Sequence, residues 1–199
     1  MKSYLFLLPL LLLSTCKKDD DENLSRVIEF DDPVDVTITG YTDDLMEPFL
    51  SRDGTMLMFN NNNDPSYNTN LHWAIKVNET TFTYLGEISN VNSPDLEAVA
   101  TMDVNNNLFF VSTRDYFTSL VTLFQTTFAN GATSTITPLG SLSLNVVGWL
   151  NFDVEVTADG NQLYFADGRY DATGGPHEAN LAIAEKMEIS MYGSPARTN

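Results

Sequence analysis

The side chains of this chain best suited to chemistry by type are two histidines, one cysteine, a recurring acid and two oxygen-rich stretches. His177 stands in Gly174-Gly175-Pro176-His177-Glu178, with Asp167, Arg169 and Asp171 shortly before it. Read as one long loop over 167–178, this is the candidate ligand loop, in which an imidazole, a guanidinium and two carboxylates could face a ligand from one end of the fold. His72 lies inside Leu71-His72-Trp73-Ala74-Ile75-Lys76-Val77, a strand-like run, where a packed or surface role fits it. The histidines have no cysteine near them, so spacing does not indicate a zinc site. The stretches 60–64 and 167–171 could hold calcium, a hard cation that takes carboxylate and amide oxygens, but neither has the ordered EF-hand spacing and solvated loop is the plainer reading. No other cofactor is expected, and no catalytic metal ligand set. Gly-x-Ser-x-Gly, phosphate-loop and dinucleotide patterns do not occur. Trp73, Trp149 and Tyr170 could stack on a sugar or peptide; Trp73, within a strand, reads as core, and Trp149, in Val146-Val147-Gly148-Trp149-Leu150, reads either way.

The elements that must position these groups come from a repeat. Glu47, Glu97 and Asp153 each lead a strand, a tight turn and a second strand, about fifty residues apart. Arg52-Asp53-Gly54 and Asp159-Gly160 are turn signals, since Asp and above all Gly tolerate the positive φ of tight hairpins. The middle copy lacks that pair; Asn105-Asn106 substitutes, with one residue more and a bulge expected there. Two further strands follow in each of the first two units, over 71–77 and 81–88 through Asn78-Glu79, then over 119–127 and 133–139 through Ala129-Asn130-Gly131. The third unit offers one more, over 180–186, and no convincing fourth. A preceding strand is expected over 34–39.

Four-stranded sheets with apolar side chains on both faces cannot hide them singly, whereas radial stacking buries each between its neighbours. The expectation is an all-β chain, a β-propeller of about three four-stranded antiparallel blades at 46–90, 95–142 and 151–190, forming a partial or truncated ring; a β-sandwich with look-alike hairpins is the alternative. Propellers close with four to eight blades, so three leave open blade edges through which the chain could self-associate. Truncation of a longer family is the preferred explanation. An acid recurring in every unit suits a structural job, accepting backbone hydrogen bonds where units meet, better than acid–base catalysis.

The start of the chain gives an address. Met1-Lys2-Ser3-Tyr4 and an apolar run over 5–13 make a signal peptide, 1–15, too short to span a bilayer. Cys16 is the sole cysteine, so no intrachain disulfide can form; lipidation explains it, each buried methylene of an acyl chain contributing roughly 0.8 kcal/mol. Residues 16–23 then form the lipidated cysteine and a charged tether without apolar side chains, and the folded part is expected over 24–199. The formal net charge of −17 disfavours nucleic acid, which needs clustered Lys and Arg, and suits solubility outside a cell or cation binding. Asn78-Glu79-Thr80 matches a glycosylation acceptor by accident if the chain is bacterial.

Three resemblances follow from these residues. Leu13-Ser14-Thr15-Cys16 resembles the bacterial lipoprotein cleavage box. Lys17-Lys18-Asp19-Asp20-Asp21-Glu22-Asn23 resembles the acidic signals that carry lipoproteins of Bacteroidetes-type bacteria to the outer face of the outer membrane. Glu47-Pro48-Phe49-Leu50-Ser51-Arg52-Asp53-Gly54-Thr55-Met56-Leu57-Met58-Phe59 and its relative from Asp153 to Phe165 resemble the TolB-type, WD40-like propeller repeat, over most of 46–187, with the middle copy degenerate. These resemblances imply a lipid-anchored outer-membrane protein, at the cell surface or alternatively on the periplasmic face, that binds a protein or glycan partner without catalysis. The competing expectations are an extracellular polysaccharide lyase or hydrolase, which needs a metal or acid–base cluster at the ring axis, and a truncated fragment without function.

Overall fold

A computed structural model describes residues 30–62 and 68–187. The stretch expected to be a signal peptide, Cys16 and the expected acidic tether lie outside the described residues. The chain divides into Met1–Pro33 and Val34–Asn199, and every strand among the described residues belongs to the second unit. The fold is all-β.

The first sheet contains β1 (Thr37–Thr39), β2 (Met46–Leu50), β3 (Met56–Asn60), β4 (Leu71–Asn78) and β5 (Thr81–Glu87), in the order β1-β5-β4-β3-β2. All its pairings are antiparallel except β1 with β5. The second sheet contains β6 (Glu97–Met102), β7 (Asn107–Ser112), β8 (Leu123–Ala129) and β10 (Thr137–Pro138), with β9 (Ala132–Thr133) paired to the end of β8. The third contains β11 (Trp149–Val156), β12 (Gln162–Asp171) and β13 (Gly174–Glu185). A four-residue helix, α1 (Tyr116–Ser119), precedes β8 where a strand was expected from residue 119. The expected fourth strand over 133–139 is split into the two short pieces β9 and β10.

The leading hairpins show why these residues fold as they do. Gly54 and Gly160 take φ of 71° and 73°, and Asn106 takes 63° at the same place in the middle copy. Their N–H groups close the turns onto Ser51, Thr157 and Asp103 carbonyls at 2.7, 2.9 and 3.3 Å. The middle turn is shorter than the others, not longer: Ser51 N donates to Met56 O and Thr157 N to Gln162 O, but Asp103 N donates to Asn107 O. The irregularity expected in that turn sits instead in the preceding strand of all three copies. Glu47, Val99 and Asp153 have φ of 51°, 52° and 48°, each where the pairing register shifts. Val99, rather than Glu97, is therefore the counterpart of Glu47 and Asp153. A β-branched residue at positive φ is strained, so nothing local announces Val99 in this position.

The stretch 167–178 is a correction as well. It is no loop: β12 runs on to Asp171, β13 starts at Gly174, and Asp167, Gly168 and Arg169 pair with Asn180, Ala179 and Glu178. Gly and Pro density suggested a connection, but pairing along β12 overrides that local preference.

Three apolar clusters cover the sheet faces. The first, between sheets one and two, joins Met58, Leu71, Ile88, Leu108, Phe110 and Phe124. The second, between sheets two and three, joins Phe109, Val111, Leu123, Val154, Val156 and Phe165. The third lies on the remaining face of sheet one, where Leu57, Phe59, Ala74 and Phe82 are covered by Ile38, Tyr41 and Leu45. Removing a side chain of this size from water stabilises the fold by about 1.5–3 kcal/mol.

Glu97 is the polar exception inside this packing. Its side chain is fully buried; Oε1 accepts from Ser93 Oγ and Ser112 Oγ, both at 2.7 Å, and from Arg114 Nη2 at 2.9 Å, while Oε2 accepts from Ser93 N at 2.6 Å. Arg114 also donates to Val91 O and lies over the Phe110 and Phe124 rings. Removing one member of such a pair strands the other in a dry environment. Glu97→Ala is expected to lower the unfolding free energy by about 3 kcal/mol, measured by urea titration, with Glu97→Gln recovering part of the loss through its amide oxygen.

Candidate binding groove

The four residues of the expected ligand loop do not converge on one site: only Asp171 and His177 meet. Asp167 is buried in β12, where Oδ1 accepts from Asn151 Nδ2 at 2.5 Å, and burial pushes its carboxyl above the ordinary range. Arg169 has Nε 3.8 Å from Oε2 of Glu178, its cross-strand neighbour. Asp171 and His177 do meet at the hairpin end: Asp171 Oδ1 accepts from Thr173 Oγ1 at 2.6 Å and Thr173 N at 2.8 Å and lies 3.1 Å from His177 Nε2. The Thr173 hydrogen bonds, then His177, hold the Asp171 carboxyl down at about 2. Among the described residues no three His, Cys, Asp or Glu side chains are grouped as metal ligands. In the other oxygen-rich stretch Asn61 is occupied in bracing its own loop, accepting from Asn70 N at 2.6 Å and donating to Asn68 O at 2.9 Å; Asn63 and Asp64 lie outside the described residues.

His72 is a packed residue. Its ring stacks on Phe59 with centroids 5.5 Å apart, and Nδ1 lies 2.9 Å from the Tyr84 hydroxyl. Trp149 and Tyr170 are half-buried; Tyr170 meets Phe152 edge to face.

The feature that sequence reasoning did not assemble is a groove of about 590 Å³ between the first two sheets, at their turn ends. Its apolar lining includes Met56, Trp73, Ile75, Met102 and Phe128, and its rim comes from Ser51, Arg52, Asp53, Thr55, Asp103, Asn106 and Asn130. Trp73 and Phe128 meet edge to face at 5.5 Å, an arrangement aromatic quadrupoles favour. Gly131, at φ 81°, lets the β8–β9 turn close over the indole; a Cβ there would lie 2.5 Å from Trp73 Cζ2. The side-chain amides of Asn106 and Asn130 are exposed and make no hydrogen bond among the described residues.

The charges around the groove are already engaged. Lys76 Nζ pairs with Glu79 Oε2 at 2.9 Å. Asp53 Oδ1 accepts from Ser51 Oγ at 2.6 Å and from the N–H and hydroxyl of Thr55, and the Ser51 bond first of all lowers its pKa. Asp103, buried, spends its carboxylate on Asn105 N, Asn107 N and Asn107 Nδ2. Arg52 ties the three sheets together: Nε donates to Met102 O at 3.2 Å, and Nη2 donates to Glu155 Oε1 and Val156 O, both at 2.5 Å. Val104 N continues the line to Ala158 O at 2.9 Å. Arg52 and Glu155 are partly exposed, so water screens their charge pair; Arg52→Ala is expected to cost about 1 kcal/mol and to reduce protection of the Val104 and Val156 amides in hydrogen exchange.

Burial holds His72 below the ordinary imidazole value of 6.5. The unfolded chain therefore takes up the proton first, and the stability that neutral His72 supports is complete above 6.5 and is lost as pH falls below it. The urea midpoint should fall between about pH 7.5 and about pH 5.5, and less so in His72→Gln; the carboxylates with lowered pKa, Asp53, Asp159 and Asp171, act in a separate window below 3.8. The chain matches no protein-family model and no curated protein.

Proposed function

We propose that this chain is a non-catalytic binding module of the cell envelope, a TolB-type propeller repeat protein anchored by acyl chains on Cys16 at the outer membrane, and that its groove takes a glycan. The observation that carries the reading is the groove itself: an indole and a phenyl ring form an apolar floor, and two free carboxamides stand at its rim. Sugars present C–H faces that stack on aromatic rings and hydroxyls that both donate and accept. Carboxamides answer both roles, having two donors and an acceptor each.

Proton transfer suits this site poorly. A general acid needs a pKa near the working pH, whereas the Ser51 and Thr55 hydrogen bonds of its turn lower the pKa of Asp53. A protein partner is the neighbouring reading, since the same floor and rim accommodate an extended peptide. The stacking of three sheets in chain order, each leading with a strand bent at positive φ, supports the propeller assignment.

The test is an array carrying neutral and acidic oligosaccharides beside a peptide library, followed by titration calorimetry on hits. Glycan binding is expected, weakened about tenfold in Trp73→Phe, which keeps an aromatic ring there, and at least as much in Asn106→Gly/Asn130→Gly, which removes both carboxamides and keeps the positive φ of each turn. Hits among peptides alone would transfer the site to a protein partner, and hits indifferent to both variants would remove the groove from the function.

A further inference from the structure

The two internal sheet contacts use equivalent residues, and the third sheet repeats those residues on a face that the described residues leave open. In the register of the three sheets, Leu71, Leu123 and Leu181 occupy one position, opposite Asn60, Val111 and Ala166. Leu71 and Leu123 are completely buried beneath the next sheet, and Leu181 is 91% exposed. Met58, Phe109 and Tyr164 are likewise equivalent, opposite Phe49, Thr101 and Glu155; the first two are buried and Tyr164 is 48% exposed. Ile183, facing Tyr164 across β12 and β13, is half exposed as well.

The opposite end of the stack shows the complementary shortfall. Leu50 is the equivalent of Met102 and Val156 by pairing with Leu57, Leu108 and Leu163. Met102 and Val156 are buried against the preceding sheet, while Leu50 is exposed. It borders an apolar hollow of about 600 Å³ with Val36, Ile38, Leu45 and Phe82, which residues 34–45 cover only in part. One end therefore carries apolar knobs and the other an apolar hollow, in the relation that sheets one and two, and two and three, already realise within the chain.

We propose that two copies of this chain associate head to tail, the Tyr164–Leu181–Ile183 face of each against the Leu50 hollow of the other. The contact continues the two sheet interfaces already present, and a heterologous contact of this kind closes when the rotation permits. Three sheets per copy make six in a pair, within the four to eight that close a propeller, while a third copy would exceed it; this step rests on the propeller reading above. The interface is apolar between chains of net charge −17, so salt strengthens it by screening repulsion.

The test is light scattering of the full chain in a mild detergent, with the detergent mass subtracted, at low and high salt. Twice the chain mass is expected, more completely at high salt. Leu181→Asp and Leu50→Asp should each weaken association at least about a hundredfold while leaving the circular dichroism unchanged, since both side chains are exposed. An equimolar mixture of the two variants should recover pairing, because one intact contact remains between them. A monomeric parent chain overturns the proposal. So does pairing lost in Leu181→Asp and kept in Leu50→Asp, which would mean the third sheet meets its own copy. Glycan binding is scored separately on the array, so a monomer that binds glycan would sink the pairing alone.

Discussion

A sheet that is apolar on both faces needs cover on both, and most of this structure follows from how that need is met. Between sheets one and two and between two and three, the cover is the neighbouring sheet. On the outer face of sheet one it is the segment around Ile38, Tyr41 and Leu45. The outer face of sheet three, with Leu181 and Ile183, stands open within the described residues, and that of sheet one is covered only in part beside Leu50. The hydrophobic effect is proportional to area and indifferent to direction, so it fixes that the sheets stack without fixing their exact alignment.

Alignment comes from directional polar contacts along the turn ends. Arg52 reaches carbonyls of the second and third sheets, and Val104 hydrogen-bonds to Ala158. Glu97 and Arg114 add a buried ionic contact beside the first sheet, satisfied on nearly every side. Such groups are costly to desolvate and tolerate only one geometry, which makes them specifying rather than strongly stabilising. The groove is a by-product of the same arrangement. Its floor is the margin of the first apolar cluster, where Trp73 and Phe128 border the space between the two sheets.

The sequence by itself determined the repeated unit. Asp53-Gly54 and Asp159-Gly160 are turn chemistry that almost any context would honour, and the alternating run of β4 places Trp73 on one face and His72 on the other. These are short-range effects of φ preference and side-chain alternation. The all-β class followed from them, while His72, for which a packed and a surface role were both open, was placed in the packing by the tertiary structure.

Tertiary structure decided the remainder, for a physical reason in each case. Val99 adopts a positive φ at the bend that Glu47 and Asp153 also make, where the register of each leading pair shifts, so the geometry of the sheet outweighs a β-branched residue's own preference. The stretch 167–178 became a hairpin because β12 offered a partner along its whole length, so backbone pairing prevailed over the local signal of Gly174, Gly175 and Pro176. Of Asp167, Arg169, Asp171 and His177, close in sequence, only Asp171 and His177 meet, while Asp167 and Arg169 take other partners, since alternation and pairing along strands separate neighbours. Conversely Arg52, Trp73, Asn106 and Asn130, far apart in the chain, came together at one groove. No local pattern records that meeting, because it exists only once the two sheets have stacked.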